Sequence, residues 1–181
     1  MKFIELALKR QSTRKYSNKP VEEEAIERCI KAARIAPSAC NAQPWKYIIV
    51  KDPVIKEKVA KATFGTIASF NKFTLESPVI AVIVIEKPNF MSRFGATVKD
   101  IDYHLIDIGI TATHFCLQAT EEGMATCMMG WFNEKEIHKI LNIPKNLKIG
   151  LLISLGYEEE GYKQRMKIRK EENKVLSFDS Y

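Results

Sequence analysis

The amino-acid sequence predicts an α+β fold, a mixed α/β sandwich in which helices flank a central sheet. Three observations carry that expectation. Four short runs rich in β-branched and apolar residues, "WKYIIV" at 45–50, "VIAVIVIE" at 79–86, "MATCMMGWF" at 124–132 and "KIGLLISLGY" at 148–157, read as buried strands. The segments between them repeat apolar residues at intervals of three and four, the spacing of a helix face. No G-x-G-x-x-G follows the first strand and no G-x-x-x-x-G-K-[ST] occurs anywhere, which argues against a Rossmann or P-loop nucleotide site.

Taken in order, residues 2–10 form a short amphipathic helix. After Pro20, the acidic run Glu22, Glu23 and Glu24 suits the positive end of a helix, and Ile26, Cys29, Ile30 and Ala33 supply its apolar stripe until Pro37 stops it. A modest helix at 54–62 separates the first two strands. From Ile101 to Gly123 the chain is free of proline and apolar on nearly every face, so this helix is expected to be central or covered by a second subunit. The third strand ends at Gly130, Asn133 caps a helix to about Leu141, and the fourth strand follows. Without repeats, low-complexity tracts or a Gly/Ser linker, the expectation is one domain over 1–181 whose residues 157–181 form a charged C-terminal arm.

With 181 residues, 46% of them hydrophobic, the chain can bury a sizeable core. Its net charge of +6 favours an anionic partner, whether nucleic acid, a membrane surface or a phosphorylated small molecule. Cys29, Cys40, Cys116 and Cys127 form no C-x-x-C pair and no zinc-like spacing with His104, His114 or His138, so no metal site is expected and a reducing cytoplasm fits best. Glu5 and Lys9 interrupt the N-terminal segment, and the longest apolar run, at 79–85, is far below the ~20 residues needed to span a bilayer. No export or membrane segment is expected.

Three stretches could carry chemistry. Arg10, Ser12 and Arg14 fall at period two in "KRQSTRKYS", so an extended chain points all three to one side, where two guanidiniums and a hydroxyl suit a phosphate; the alternative is a solvated basic loop. In "APSACNAQPWKYIIV", Asn41 and Gln43 carry the donors and acceptors that read a flat heterocycle's edge, while plain turn chemistry by Pro37, Ser38, Asn41 and Pro44 explains the same residues. Lys163, Arg165, Lys167 and Arg169 alternate in the tail, as a solvated row or a nucleic-acid surface would. With aromatic residues sparse there and Tyr162 alone at its start, nucleic-acid binding is a minor reading. Cys40 reads as a small packed residue rather than a nucleophile, since no His lies near it in sequence.

Together these pieces resemble the nitroreductase family of flavin enzymes, in order along almost the whole chain. "RQSTRKYSNKPV" at 10–21 is similar to the family's R-x-S-x-R-x-[FY] opening followed by K-P, and "AARIAPSACNAQPWKYIIV" at 32–50 to its A-P-S-x-x-N-x-Q-P-W signature, the most specific of the four segments. "CMMGWF" at 127–132 resembles the strand and glycine turn beside the flavin, and "YKQRMKIRKEENKVL" at 162–176 the basic tail. The resemblance implies a mostly antiparallel sheet, a long central helix at a homodimer interface, and one FMN at each of two sites between the subunits. It assigns Arg10, Gln11, Ser12 and Arg14 to the phosphate and ribityl end, joined by Arg169 and Lys167. Pro37, Ser38, Ala39 and Asn41 would reach the isoalloxazine ring from the other subunit, with Gln43 serving the loop's own bonding, and Met129 and Gly130 would offer backbone beside the ring.

What the resemblance implies chemically is a ping-pong oxidoreductase. Hydride passes from NAD(P)H to the flavin and on to a nitroaromatic, quinone or similar electron-poor acceptor, with no catalytic residue beyond the flavin. Reductive dehalogenation, oxygen-dependent flavin breakdown and simple FMN storage are the alternatives. The sequence departs from the family pattern at Cys40, commonly Gly, and at Met128, where Trp is frequent. Only Lys87 to Asp100 separate the second strand from the long helix, so a substrate lid there is expected to be small.

Overall fold

The computed structural model describes residues 2–65, 69–86 and 101–181; the expected lid at 87–100 lies outside them. Five α-helices are seen among the described residues, α1 (Phe3–Lys9), α2 (Glu23–Arg34), α3 (Pro53–Lys61), α4 (Tyr103–Glu121) and α5 (Glu134–Leu141). The strands are β1 (Trp45–Val50), β2 (Val79–Ile85), β3 (Ala125–Met129) and β4 (Lys148–Gly156), in the spatial order β1-β2-β4-β3 and antiparallel throughout. The α+β architecture and antiparallel sheet agree with expectation.

β2 explains the layering. Its side chains alternate between faces, as any strand's must, yet every position from Val79 to Val84 is buried. Val79, Ala81 and Ile83 pack with Ala25, Cys29, Ala33, Ala112 and Phe115 of α2 and α4, while Ile80, Val82 and Val84 pack with Val59 and Ala60 of α3, Phe73, and Ile137 of α5. A strand apolar on both sides needs a helical layer on both sides, and it sits inside the sheet with β1 and β3 at the edges.

Local chemistry sets the element ends. Glu23 and Glu24 lie in the first turn of α2. That helix ends at Arg34, three residues before the proline expected to stop it, since Ile35 leaves helical geometry at ψ 0. Asp52 caps α3 by accepting from the Ile55 amide at 2.9 Å, and Asn133 caps α5 from the Glu136 amide at 3.2 Å. β3 spans Ala125–Met129, so the strand expected from 124 to Gly130 is one residue shorter at each end. A β-bulge at Gly150 shifts the β2–β4 register between Ile83 and Val84, and the freed Ile149 amide donates to Glu134 of α5 at 2.8 Å. On α4, Ile108, Ala112, Phe115, Cys116 and Ala119 face the sheet, whereas Leu105 and Ile106 remain exposed.

Gly156, the last residue of β4, has no room for a side chain. A Cβ there would lie 2.6 and 2.9 Å from the Pro78 ring and 2.9 Å from Tyr16 Cδ1. Gly156→Ala is expected to destabilise the fold by about 1–3 kcal/mol, read as a lower urea midpoint at unchanged slope. A wild-type midpoint would contradict this packing.

Candidate functional site

Residues 10–16 run along the outer edge of β3. Ser12 bridges Thr126 in parallel register, the Thr13 amide donates to the Thr126 carbonyl at 3.0 Å, and Tyr16 bridges Glu158. Extended geometry alternates the side chains. Gln11 and Thr13 are buried, Ser12 and Arg10 are half-buried and Arg14 is exposed, so the period-two reading of this segment holds. Gln11 and Thr13 both donate to Glu158 Oε1, at 2.9 and 2.8 Å, and Gln11 Oε1 accepts from the Arg165 amide at 2.9 Å. Gln11 thereby ties the tail beside the first segment.

The tail then follows that segment. Gln164 donates to the Leu8 carbonyl at 3.1 Å, and Lys167 Nζ donates to the carbonyls of Ala7 at 2.7 Å and Arg10 at 2.6 Å, at the C-terminal end of α1. Burial holds the Lys167 ammonium below its ordinary pKa, and Arg10 and Arg169 push it the same way. The Cys127 thiol on β3 is raised by burial, and Arg14, the Ser12 hydroxyl, Arg165 and Arg10 draw it back. Among the described residues, none of Arg10, Arg14, Arg165, Lys167 and Arg169 takes part in an ion pair. Cations so placed, with Glu158 engaged by Gln11 and Thr13, suit an anion.

The second group of candidate residues lies at the entry to β1. Ala39–Asn41 form a 3₁₀ turn, and Cys40, Asn41 and Gln43 all have left-handed backbones, at φ 50, 48 and 45. Such a conformation costs a side-chain-bearing residue about 1–2 kcal/mol, so the loop must be held. Ser38 Oγ accepts from the Gln43 amide at 3.0 Å, Gln43 Nε2 donates to Asn41 Oδ1 at 3.0 Å, and the Ala39 amide donates to Asp107 Oδ1 at 3.0 Å. Gln43 thus bonds within the loop. Glycine is at ease in this geometry, which explains in physical terms why Gly suits the place of Cys40.

Met129 and Gly130 form the third group. Met129 is buried at the end of β3, Gly130 is exposed, and a Cβ built on Gly130 meets nothing within 4 Å. The strand order puts β3 and the 10–16 segment at one edge of the sheet and the Ala39–Asn41 loop, through β1, at the other. β1 and β3 themselves are three strand spacings of about 4.8 Å apart.

Residues 7–157 match the nitroreductase family. The chain belongs to this family. An NADH dehydrogenase of Thermus thermophilus is 27% identical, the alignment covering 86% of this chain and 87% of that protein. An iodotyrosine deiodinase of Thermotoga neapolitana is 23% identical over 88% of this chain and 91% of its own. The solved structure of an FMN-dependent nitroreductase from Clostridium difficile R20291 superposes with a TM-score of 0.80 at 24% identity, covering 99% of this chain and all of that one, 100%. The family and these names are those of oxidoreductases. No helix among the described residues is long and apolar enough to cross a membrane, and none of their His, Cys, Asp and Glu side chains cluster as a metal site.

Two residues escaped the sequence reading of the site. Arg165 belonged to the alternating basic row, but only the Gln11 anchor sets it beside Arg10 and Arg14. Asp107 carried a signal in plain sight, a lone acid on the sheet-facing side of an apolar helix.

The thiols offer a check on this geometry. Burial pushes Cys29 and Cys116 up to about 12, whereas Cys40 is exposed. Iodoacetamide at pH 8 is expected to label Cys40 while leaving Cys29 and Cys116 unmodified, as read by peptide mass spectrometry. Equal labelling of all three would contradict the packing.

Proposed function

We propose that the chain works as a homodimeric FMN oxidoreductase. It takes hydride from NAD(P)H and delivers two electrons to a nitroaromatic, quinone or similar electron-poor acceptor in a ping-pong cycle. The observation that carries this reading is the tail's attachment along the first basic segment, through Gln11 and Lys167, which gathers Arg10, Arg14, Arg165, Lys167 and Arg169 with no ion pair among the described residues. These cations suit a phosphate dianion, and the open space at Gly130 leaves room for a flat ring, so the residues present suit FMN.

When bound, FMN supplies the hydride chemistry. The chain's own residues do the rest. Arg10, Ser12, Arg14 and Arg169 hold the phosphate and ribityl end, with Lys167 as a partly desolvated cation beside them. Gln11 acts through the tail by fixing Arg165. Pro37, Ser38, Ala39 and Asn41, brought by the second copy, would line the ring, with the Asn41 side-chain amide as the donor that favours negative charge at its edge, and the Met129–Gly130 backbone would line it from the first copy.

Dimer formation has its own support. Phe3, Ile4 and Leu8 of α1 and Leu105 and Ile106 of α4 expose apolar surface on two neighbouring helices, and the tail exposes Met166, Ile168, Val175, Leu176 and Phe178. A second copy covers these residues and brings the distant loop to the basic clasp.

A second reading within the same cofactor chemistry is reductive dehalogenation, favoured by the likeness to iodotyrosine deiodinase. Halide release from a halotyrosine, set against nitroaromatic and quinone turnover, separates the two.

The test is spectroscopic. Purified protein supplied with FMN is expected to be yellow, to bleach on anaerobic NAD(P)H and to regain colour with a quinone. Arg14→Ala is expected to weaken FMN at least tenfold while leaving riboflavin affinity unchanged, because a charged hydrogen bond to phosphate is worth about 1.5–3 kcal/mol. No affinity for FMN, or equal loss for both flavins, would overturn the assignment.

A further inference from the structure

We infer that Asp107 is a positioning residue, a buried carboxyl on α4 that holds the Ala39–Asn41 loop in its cofactor-facing shape. The inference rests on the flavin reading above and assigns a role to a residue outside the expected contact set.

α4 faces the sheet with Ile108, Ala112, Phe115, Cys116 and Ala119, and Asp107 is the one ionisable acid on that buried side, only 2% exposed. Its Oδ1 accepts from the Ala39 amide at 3.0 Å, while Oδ2 is buried with no hydrogen-bond partner among the described residues. A half-satisfied carboxyl in apolar surroundings is a burden on the fold, and an apolar side chain of similar size would be neutral or better for packing. The service visible in return is the bond to Ala39.

One helical turn further along, Thr111 makes the matching contact. Its hydroxyl donates to the Ala33 carbonyl at 2.9 Å and is 3.1 Å from Tyr47 Oη on β1. Residues 107 and 111 lie one above the other on the helix, so α4 grips the connection from α2 at both ends, the Ala33 carbonyl and the Ala39 amide. Between and just beyond those points lie Pro37, Ser38 and the left-handed residues Cys40, Asn41 and Gln43. Bonds inside the loop set its local curvature, and the Asp107 bond fixes it against the helix. α4 also carries the exposed Leu105 and Ile106, so the helix that seats the loop is the one that meets the second copy.

The experiment compares the full-length chain with its Asp107→Leu and Asp107→Asn variants in three measurements: thermal midpoint of the apo form, FMN Kd by fluorescence quenching, and hydrogen exchange at the Ala39 amide by NMR. D107L is expected to keep or raise the thermal midpoint, to raise the FMN Kd at least tenfold and to speed Ala39 exchange at least tenfold. D107N retains an acceptor oxygen and is expected to recover most of both losses. A D107L Kd within twofold of wild type, or Ala39 exchange unchanged in both variants, overturns the inference. Should D107L fail to fold, D107N carries the decision: exchange at Ala39 as slow as wild type, together with near-wild-type Kd, supports the role, and a Kd as poor as that of an Arg14→Ala control with Ala39 still protected refutes it. A wild-type chain that takes up no FMN overturns the flavin reading itself, whereas wild-type binding with unaltered D107L affinity sinks this inference alone.

Discussion

The constraint from which the rest follows is the burial of β2 on both faces. A strand with Val79 through Val84 all sequestered sits inside the sheet with helices above and below, and that leaves β1 and β3 as edges. Each edge then receives its own polar attachment. The 10–16 segment runs beside β3, and the left-handed loop enters β1. Because hydrophobic packing fixes the order of strands, it also sets which edge each of these segments meets. In the proposed dimer, a site that uses both draws them from two copies.

The electrostatics and the apolar surface point the same way. Burial lowers the Lys167 pKa and the neighbouring Arg10 and Arg169 lower it further, a repulsion that a bound anion would relieve. The apolar side chains left outside on α1 and α4 are likewise costly in water, and a second copy would cover them. Both fit the proposed assembly, in which a phosphorylated ring would sit at the seam.

Much of this was legible in the sequence, and particular residues show why. The unbroken β-branched run of β2, the acidic start of α2 and the cap Asn133 are local signals with short-range causes, so the elements fall close to where they were expected. The period-two run at Arg10, Ser12 and Arg14 likewise became an extended segment with alternating burial. What could not be read is what depends on the fold. The 3₁₀ turn at Ala39–Asn41 looks in sequence like any proline-bracketed connector, and its left-handed residues are held partly by Asp107, 68 residues away. Gln11 seemed one more polar residue of a motif, yet its main visible work is to seat Arg165, 154 residues away. The bulge at Gly150 depends on a pairing that the sequence does not print.

The central claim, that each flavin site is shared between copies, is tested most directly by mixing two disabled homodimers, one carrying Arg14→Ala and the other Asn41→Ala with Ser38→Ala. If each site draws its clasp from one copy and its loop from the other, co-refolding restores one intact site in every mixed dimer, about a quarter of all sites under random pairing in a symmetric dimer. The account predicts recovery of tight FMN binding near that level. No recovery from the mixture, or tight FMN binding by an isolated monomer, would contradict it.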